Sequence, residues 1–145
     1  MDSKWQQEFT SKVNALREGW TSQFEAIGDD QVGPVYQAFS DFARRCELKS
    51  SAVPDQQGLR SYKFELCEDA YVMLYFRPRG VDQVECDYEC FLPAVGRVSG
   101  IKSSAAAANL QKEWVDSCFR MALDDLVTRF SECRRTPQDA ELALA

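Results

Sequence analysis

Cysteine is the residue type best suited to chemistry in this 145-residue chain, which contains six: Cys46, Cys67, Cys86, Cys90, Cys118 and Cys133. Cys86 and Cys90 are four positions apart, a spacing that on a helix would allow both thiols to bind one metal ion. Polar and apolar residues alternate around them, however, which is typical of a strand. On a strand the two thiols lie on one face roughly 13 Å apart, too far to share an ion. We expect reduced, buried thiols and no metal site.

Cys133 differs because Arg134 and Arg135 follow it directly. Two nearby cations lower a thiol pKa, whereas the carboxyl end of a helix raises it. No second cysteine or base is placed beside Cys133, so we expect it to be unreactive.

Acid–base chemistry is restricted because the chain has no histidine. Serine and cysteine triads and histidine-containing metal sites are therefore excluded. Three acids alternate along one predicted strand, but Glu85 and Glu89 would be roughly 13 Å apart, too wide for paired carboxylate catalysis. The only carboxylate pair that remains for such catalysis is Asp87 with one of these two acids. We expect no catalytic residues and no cofactor, with a carboxylate- or thiol-dependent enzyme as the least favoured alternative.

Phosphate and nucleic-acid binding are also disfavoured by the sequence. The segment 95–100 contains two glycines before a predicted helix but has neither the G-x-G-x-x-G spacing nor a Lys-Ser/Thr pair directly after the second glycine. Arg77, Arg79 and Arg97 are expected near the sheet ends, yet acids outnumber bases in residues 59–92 and the net charge is −6. We therefore expect no nucleic-acid partner.

The elements that must position these residues begin with two helical patterns. Apolar residues recur every three or four positions over residues 4–27 and again from Val32 to Cys46. Gly28 is expected to end the first helix, and Pro34 suits the first turn of the second. The short connection between them predicts an antiparallel helix pair.

A sheet and a long helix are expected to follow. Residues 49–58 have the composition of a loop, and three strands form an antiparallel meander whose first turn is Glu68-Asp69. Residues 94–101 are either a loop or a fourth, edge strand, and a helix is expected from Ser104 to about residue 134. The predicted fold is α+β, with one domain over residues 1–137 and a frayed tail over residues 138–145.

Strand pairing determines the most informative surface. A two-residue turn at Glu68-Asp69 predicts that Phe64 pairs with Met73 and Tyr62 with Tyr75, on one face with Leu66 and Tyr71. The opposite face then carries an apolar stripe beside acids, which we predict to be the partner-binding surface: Val72, Leu74, Phe76, Glu85, Asp87 and Glu89. One of the chain's own helices is the other candidate to cover this stripe.

Two further sites are compatible with the pattern. An aromatic pocket between sheet and helices would be lined by Tyr62, Tyr71, Tyr75, Tyr88 and Trp114, and would bind a small apolar or cationic ligand. In the first helix, Trp5, Phe9 and Trp20 suit either the core or the seam of a homodimer.

The sequence favours a small acidic, cytoplasmic, non-enzymatic binding or adaptor protein that binds a partner protein or a second copy of itself as a homodimer. We expect no membrane association, since the N-terminus is polar and the longest apolar run is only Ala70 to Phe76. A small-molecule-binding protein is the alternative.

Overall fold

Helical backbone runs without interruption from Ser3 to Arg45 in the computed structural model, which describes residues 3–56, 58–80 and 82–133. Helix α1 (Ser3–Ile27) passes through a π-helical turn (Gly28–Val32) into α2 (Gly33–Arg45). The Gly33 N–H donates to the Gly28 carbonyl, five residues back. The predicted antiparallel helix pair is therefore wrong, and a single long N-terminal helix replaces it.

Pro34 gives a physical reason for the π-helical turn. Proline has no N–H to donate, and its ring crowds the carbonyl four residues earlier, which here belongs to Asp30. A wider turn relieves that crowding without breaking the helix. Gly28 keeps a negative φ instead of the positive φ with which glycine often ends a helix.

Arg60 ties this turn to the sheet. Its guanidinium donates to the Asp29 carboxylate at 2.8 Å and to the Glu25 carbonyl at 3.4 Å. The same group lies against Gly28 so closely that any Cβ there would collide with it. The helix is thereby fixed to the sheet near the end of α1.

The sheet contains six antiparallel strands, and α3 follows it. The order is β1-β2-β3-β4, with β5 and β6 pairing successive halves of the free edge of β4. The element bounds are β1 (Lys49–Gln56), β2 (Leu59–Cys67), β3 (Ala70–Arg79), β4 (Gln83–Leu92), β5 (Gly96–Ser99), β6 (Ser103–Ala106), a short 3₁₀ turn (Ala107–Asn109) and α3 (Lys112–Cys133).

The α+β class is confirmed, but the sheet is larger than predicted. The segment expected to be a loop is β1, and the fourth strand that the sequence left open is present as β5. The helix expected to begin at Ser104 begins only at Lys112, and its first expected residues belong to β6 (Ser103–Ala106). Helix propensity favours alanine by only a few tenths of a kcal/mol per residue over most others. Pairing with the open edge of β4 outweighs it.

A β-bulge at Leu66 sets the register of the first hairpin. Cys67 pairs with Ala70 around the predicted Glu68-Asp69 turn, but the next pair is Glu65 with Tyr71. One extra residue on β2 shifts every later pair by one position, so Phe64 lies opposite Val72. The predicted pairing of Phe64 with Met73 and of Tyr62 with Tyr75 is wrong, because a one-residue slip exchanges the two faces of β3.

The core lies on one side of this sheet, under α2 and α3. Phe119 of α3 is fully buried there, and its ring lies 5.3–6.3 Å from five other rings: Tyr36, Phe39, Tyr62, Phe64 and Phe76. These rings come from α2, β2 and β3, so one side chain joins both helices to the sheet.

In the described ranges, no helix combines the length and the apolar character that crossing a bilayer requires. The tail expected at residues 138–145 lies outside the described residues.

The register predicts opposite responses at two neighbouring positions. Leu74→Ala empties a fully buried site and should reduce the free energy of unfolding by about 2–5 kcal/mol. Met73→Ala, on the other face, should cost less than about 1 kcal/mol. Denaturant unfolding of the two variants measures both, and a larger loss for Met73→Ala would contradict this register.

Candidate functional site

The face of the sheet opposite the helices is the largest surface built from the predicted site residues. We call it the open face, and its side chains alternate with those of the core along each strand. They include Lys63, Glu65, Tyr71, Met73, Tyr75, Arg77, Arg79, Glu85, Asp87, Glu89, Phe91 and Arg97. Most are half-buried.

The structure divides the six predicted partner-binding residues between the two faces. Val72, Leu74 and Phe76 are fully buried in the core beneath the helices. Glu85, Asp87 and Glu89 lie on the open face, as the alternation of β4 predicted. The expectation that all six share one surface is wrong, because the bulge at Leu66 turns the apolar residues of β3 inward.

Each of the three acids on β4 is neutralised by an arginine. The residues of β3 meet those of β4 along one uniform diagonal, as expected for twisted antiparallel strands. The ion pairs are Arg79–Glu85 at 2.9 Å, Arg77–Asp87 at 3.0 Å and, from β5, Arg97–Glu89 at 3.3 Å. The Tyr75 hydroxyl also donates to Glu89 at 3.2 Å. The acidic rim expected from the sequence is therefore a mixed-charge ladder.

Apolar side chains occupy the remaining part of the open face, and we call Tyr71, Met73, Tyr75 and Phe91 the aromatic patch. Tyr71 and Phe91 face each other across β3 and β4 with their rings stacked at 4.6 Å. The Lys63 ammonium lies 4.3 Å from the centre of the Tyr71 ring, within the range of a cation–π contact. Part of the patch is thus packed ring against ring and partly covered by the Lys63 charge.

On the open face, the pKa values of Glu85 and Tyr75 are shifted further from neutral pH. Hydrogen bonding and attraction from Arg79 hold the pKa of Glu85 below its usual value. Burial and then the Glu89 carboxylate raise the pKa of Tyr75 to about 12. General acid–base catalysis works best with groups that titrate near neutral pH. These two side chains are therefore suited to fixed ion pairing and hydrogen bonding.

The tyrosine pocket predicted as an alternative is not assembled. Tyr71 and Tyr75 lie on the open face, whereas Tyr62 and Tyr88 point into the core. Trp114 packs edge-on against Phe76 and donates from its indole nitrogen to Ser103 at 2.9 Å. Tyrosines that lie on opposite faces of a sheet cannot line one pocket.

Tyr88 belongs instead to a polar contact between sheet and α3. Its hydroxyl donates to Asp125 at 2.8 Å, and Arg129 donates to the other oxygen of that carboxylate at 2.9 Å. Burial and this carboxylate raise the pKa of Tyr88 to about 12. The hydroxyl therefore stays protonated as a donor.

The cysteines are placed as structural residues. Cys86, Cys90 and Cys118 are buried, Cys133 is half-buried, and Cys46 and Cys67 are exposed. Contact with Cys118 and burial raise the pKa of Cys86, and burial raises that of Cys90 to about 11. Among the described residues no three Cys, Asp or Glu side chains form a group that could hold a metal ion. Arg134 and Arg135 lie outside the described residues.

Two further surfaces stand out on the helices. The first is the apolar stripe of α1, formed by Trp5, Phe9, Val13, Leu16 and Trp20. The sequence assigned Trp5, Phe9 and Trp20 to either the core or a homodimer seam. In the structure Phe9 and Leu16 are more than half exposed. The second, which sequence reasoning missed, is a groove of about 470 Å³ between α2 and α3. It is lined by Ala38, Phe39, Phe42, Asp116, Arg120, Leu123 and Asp124.

Comparison with known proteins adds no relative: no family model, no curated protein and no solved structure matches the chain.

Thiol accessibility gives a direct check of the cysteine placement. Iodoacetamide should alkylate Cys46 and Cys67 of the folded protein first, because the thiolate is the nucleophile and these two are exposed. Cys90 should react only after denaturation. Peptide mapping by mass spectrometry follows each site, and fast alkylation of Cys90 in the native protein would contradict its burial.

The Arg79–Glu85 pair should make stability depend on pH. Because the folded-state pKa of Glu85 lies below 4.5, its stabilisation is fully present at neutral pH and is lost as the pH falls below about 4.5. Glu85→Gln should therefore lower the free energy of unfolding at pH 7 and differ less from the original protein at pH 3. Glu18→Gln, at an exposed position of α1, is the control, and parallel pH curves for the original protein and Glu85→Gln would refute the pairing.

Proposed function

We propose that this chain is a non-catalytic protein-binding module that presents the open face of its sheet to a partner protein. The observation that supports it most is the aromatic patch, which lies on the sheet face that the helices of the described residues leave uncovered. The proposal keeps Glu85, Asp87 and Glu89 as site residues. It replaces the three buried apolar residues of β3 with Tyr71, Met73 and Tyr75.

Residue types on the open face support a role in protein binding. Tyrosine, phenylalanine, methionine and arginine are enriched at protein interfaces. Tyrosine and arginine are also frequent among the few residues that supply most of the binding free energy. The open face combines Tyr71, Tyr75 and Phe91 with Arg77 and Arg97, and so has the composition of an interface centre.

The contacts among the side chains of this face are a second support. The Tyr71–Phe91 stack and the diagonal ion pairs fix side chains that would otherwise lose conformational freedom when a partner binds. Ordering of a flexible side chain at an interface costs about 0.5–1.5 kcal/mol. Much of that ordering is already present in the free protein.

The charge arrangement narrows the chemistry of the partner. Because each acid on β4 is paired with an arginine, the open face has no uncompensated acidic rim that would attract a strongly basic partner. A flat protein surface with an apolar centre and polar groups of both signs is the better match. The groove between α2 and α3 is lined by residues of those helices and not by the open face.

Substitutions in the patch test the proposal. Tyr71→Ala and Phe91→Ala should leave the fold intact. Each variant should lose the same partner proteins when affinity captures with the original protein and the variants are compared by quantitative mass spectrometry. Ile101→Ala changes a well-exposed apolar residue outside the open face and is the matched control. A partner found in this way and then purified should bind Tyr71→Ala at least about tenfold more weakly.

Equal capture by all four proteins, or a purified partner insensitive to Tyr71→Ala and Phe91→Ala, would refute the assignment of this face. Native mass spectrometry tests the alternative that the chain binds a small molecule. Extra mass that is lost on denaturation would indicate a small ligand instead.

A further inference from the structure

The apolar stripe of α1 continues from the core into solvent. Its steps of four, four and three residues form an 11-residue repeat, which keeps the apolar side chains aligned along a nearly straight helix. At the carboxyl end of α1, Phe24 and Ile27 are buried against the body. At the other end Phe9 is 52% and Leu16 55% exposed. We call residues 3–20 the arm.

Within the arm, the ring stack of Trp5 on Phe9 at 5.2 Å is a contact of the kind that stabilises an isolated helix by only about 0.2–0.5 kcal/mol. Helix stability in proteins comes mainly from packing of the apolar face. No acidic residue occupies the first turn of α1 to offset the helix dipole. The Thr10 hydroxyl also donates to the carbonyl of Gln6, four residues earlier, which slightly weakens a helix. These features fit a helix whose apolar side is covered by another surface.

The groove between α2 and α3 is long enough to cover the apolar side of the arm. Asp116 and Asp124 lie eight residues apart on α3, about 12 Å along that helix. Phe9 and Leu16 span about 10 Å of the arm. The groove floor contains Phe39 and Leu123, and Phe42 at its edge is 52% exposed. Two turns of an apolar helix face fit this length.

Charges on the two surfaces are complementary. At 3.6 residues per turn, Lys12 and Arg17 flank opposite sides of the stripe. Neither has an ion-pair partner among the residues that the structure describes, and the same holds for Asp124 in the groove. Asp116 is paired with Arg120. Docking would therefore give the free carboxylate of Asp124 a cation at the edge of the apolar contact.

The arm cannot reach the groove of its own chain. One wall of the groove is α2, and the helix runs continuously from the arm into α2 through the turn held by Arg60. A continuous helix does not fold back along itself. We infer that the arm docks in the α2–α3 groove of a second copy, and that two copies exchange arms reciprocally around a two-fold axis. This inference is independent of the proposed role of the open face.

Oligomeric state tests the exchange on the full chain. Sedimentation velocity and light scattering should show a dimer for the original protein. Leu16→Asp in the arm and Phe42→Asp at the groove edge should each shift it to monomer, because either change places a charge in the apolar contact. Asn14→Asp adds the same charge on the opposite side of α1 and should leave the dimer intact, while circular dichroism confirms that every variant is folded.

Mixing the two disrupted variants sharpens the test. Together they contain one intact arm and one intact groove, so an equimolar mixture should form a heterodimer that neither forms alone. Lys12→Glu should weaken dimerisation by about fivefold, and adding Asp124→Lys should restore it. A monomeric original protein would overturn the inference. A Phe42→Asp variant that remains dimeric would also overturn it, since the arms would then pair elsewhere.

The same measurements separate this inference from the proposed function. Tyr71→Ala should leave the dimer unchanged, and Leu16→Asp should leave the open face itself unchanged. Loss of the dimer on Tyr71→Ala would show instead that the open face is the self-association surface, and would refute docking in the groove.

Discussion

The register of the β2–β3 hairpin determines which side chains of β3 meet the helices. Every residue of β3 from Ala70 to Phe76 is apolar, so either face could have been buried. The bulge at Leu66 decides between them by shifting the pairing one residue beyond the Glu68-Asp69 turn. Val72, Leu74 and Phe76 then complete a core around Phe119, which packs both helices against one side of the sheet. The other side keeps Tyr71, Met73 and Tyr75.

The same register organises the open face. Tyr75, Arg77 and Arg79 alternate along β3 with the period of Glu85, Asp87 and Glu89 on β4, and each meets an acid along the same diagonal. A slip of one residue would bury the two arginines under the helices and leave the acids without partners. Burial of an unpaired charge is far more costly than the modest gain from a surface ion pair. Charge and apolar packing therefore favour the same pairing.

Parts of this arrangement follow from the sequence alone. The helical periodicity of α1, the hairpin turn at Glu68-Asp69 and the alternation of β4 were predictable, because each depends on local residue types. Which face of β3 is buried was not predictable. A strand that is apolar on both sides shows no alternation of polar and apolar residues, and a bulge leaves little trace in the composition. Similarly, the alanines of β6 indicated a helix, and only the unpaired edge of β4 makes them a strand. The groove missed by sequence reasoning combines Phe42 and Leu123, which lie on separate helices.

The position of the two proposed surfaces matters for how they would work together. The open face lies on one side of the sheet, whereas the α2–α3 groove lies on the outer side of the helices that cover the opposite face. A dimer formed through arms and grooves would leave both open faces uncovered, so it would present two equivalent binding surfaces. A partner with two copies of the complementary surface would then bind the dimer more tightly than a single module, without any new contact. Because α1 enters the core at Phe24 and Ile27, docking of the arm would also stabilise the fold by mass action.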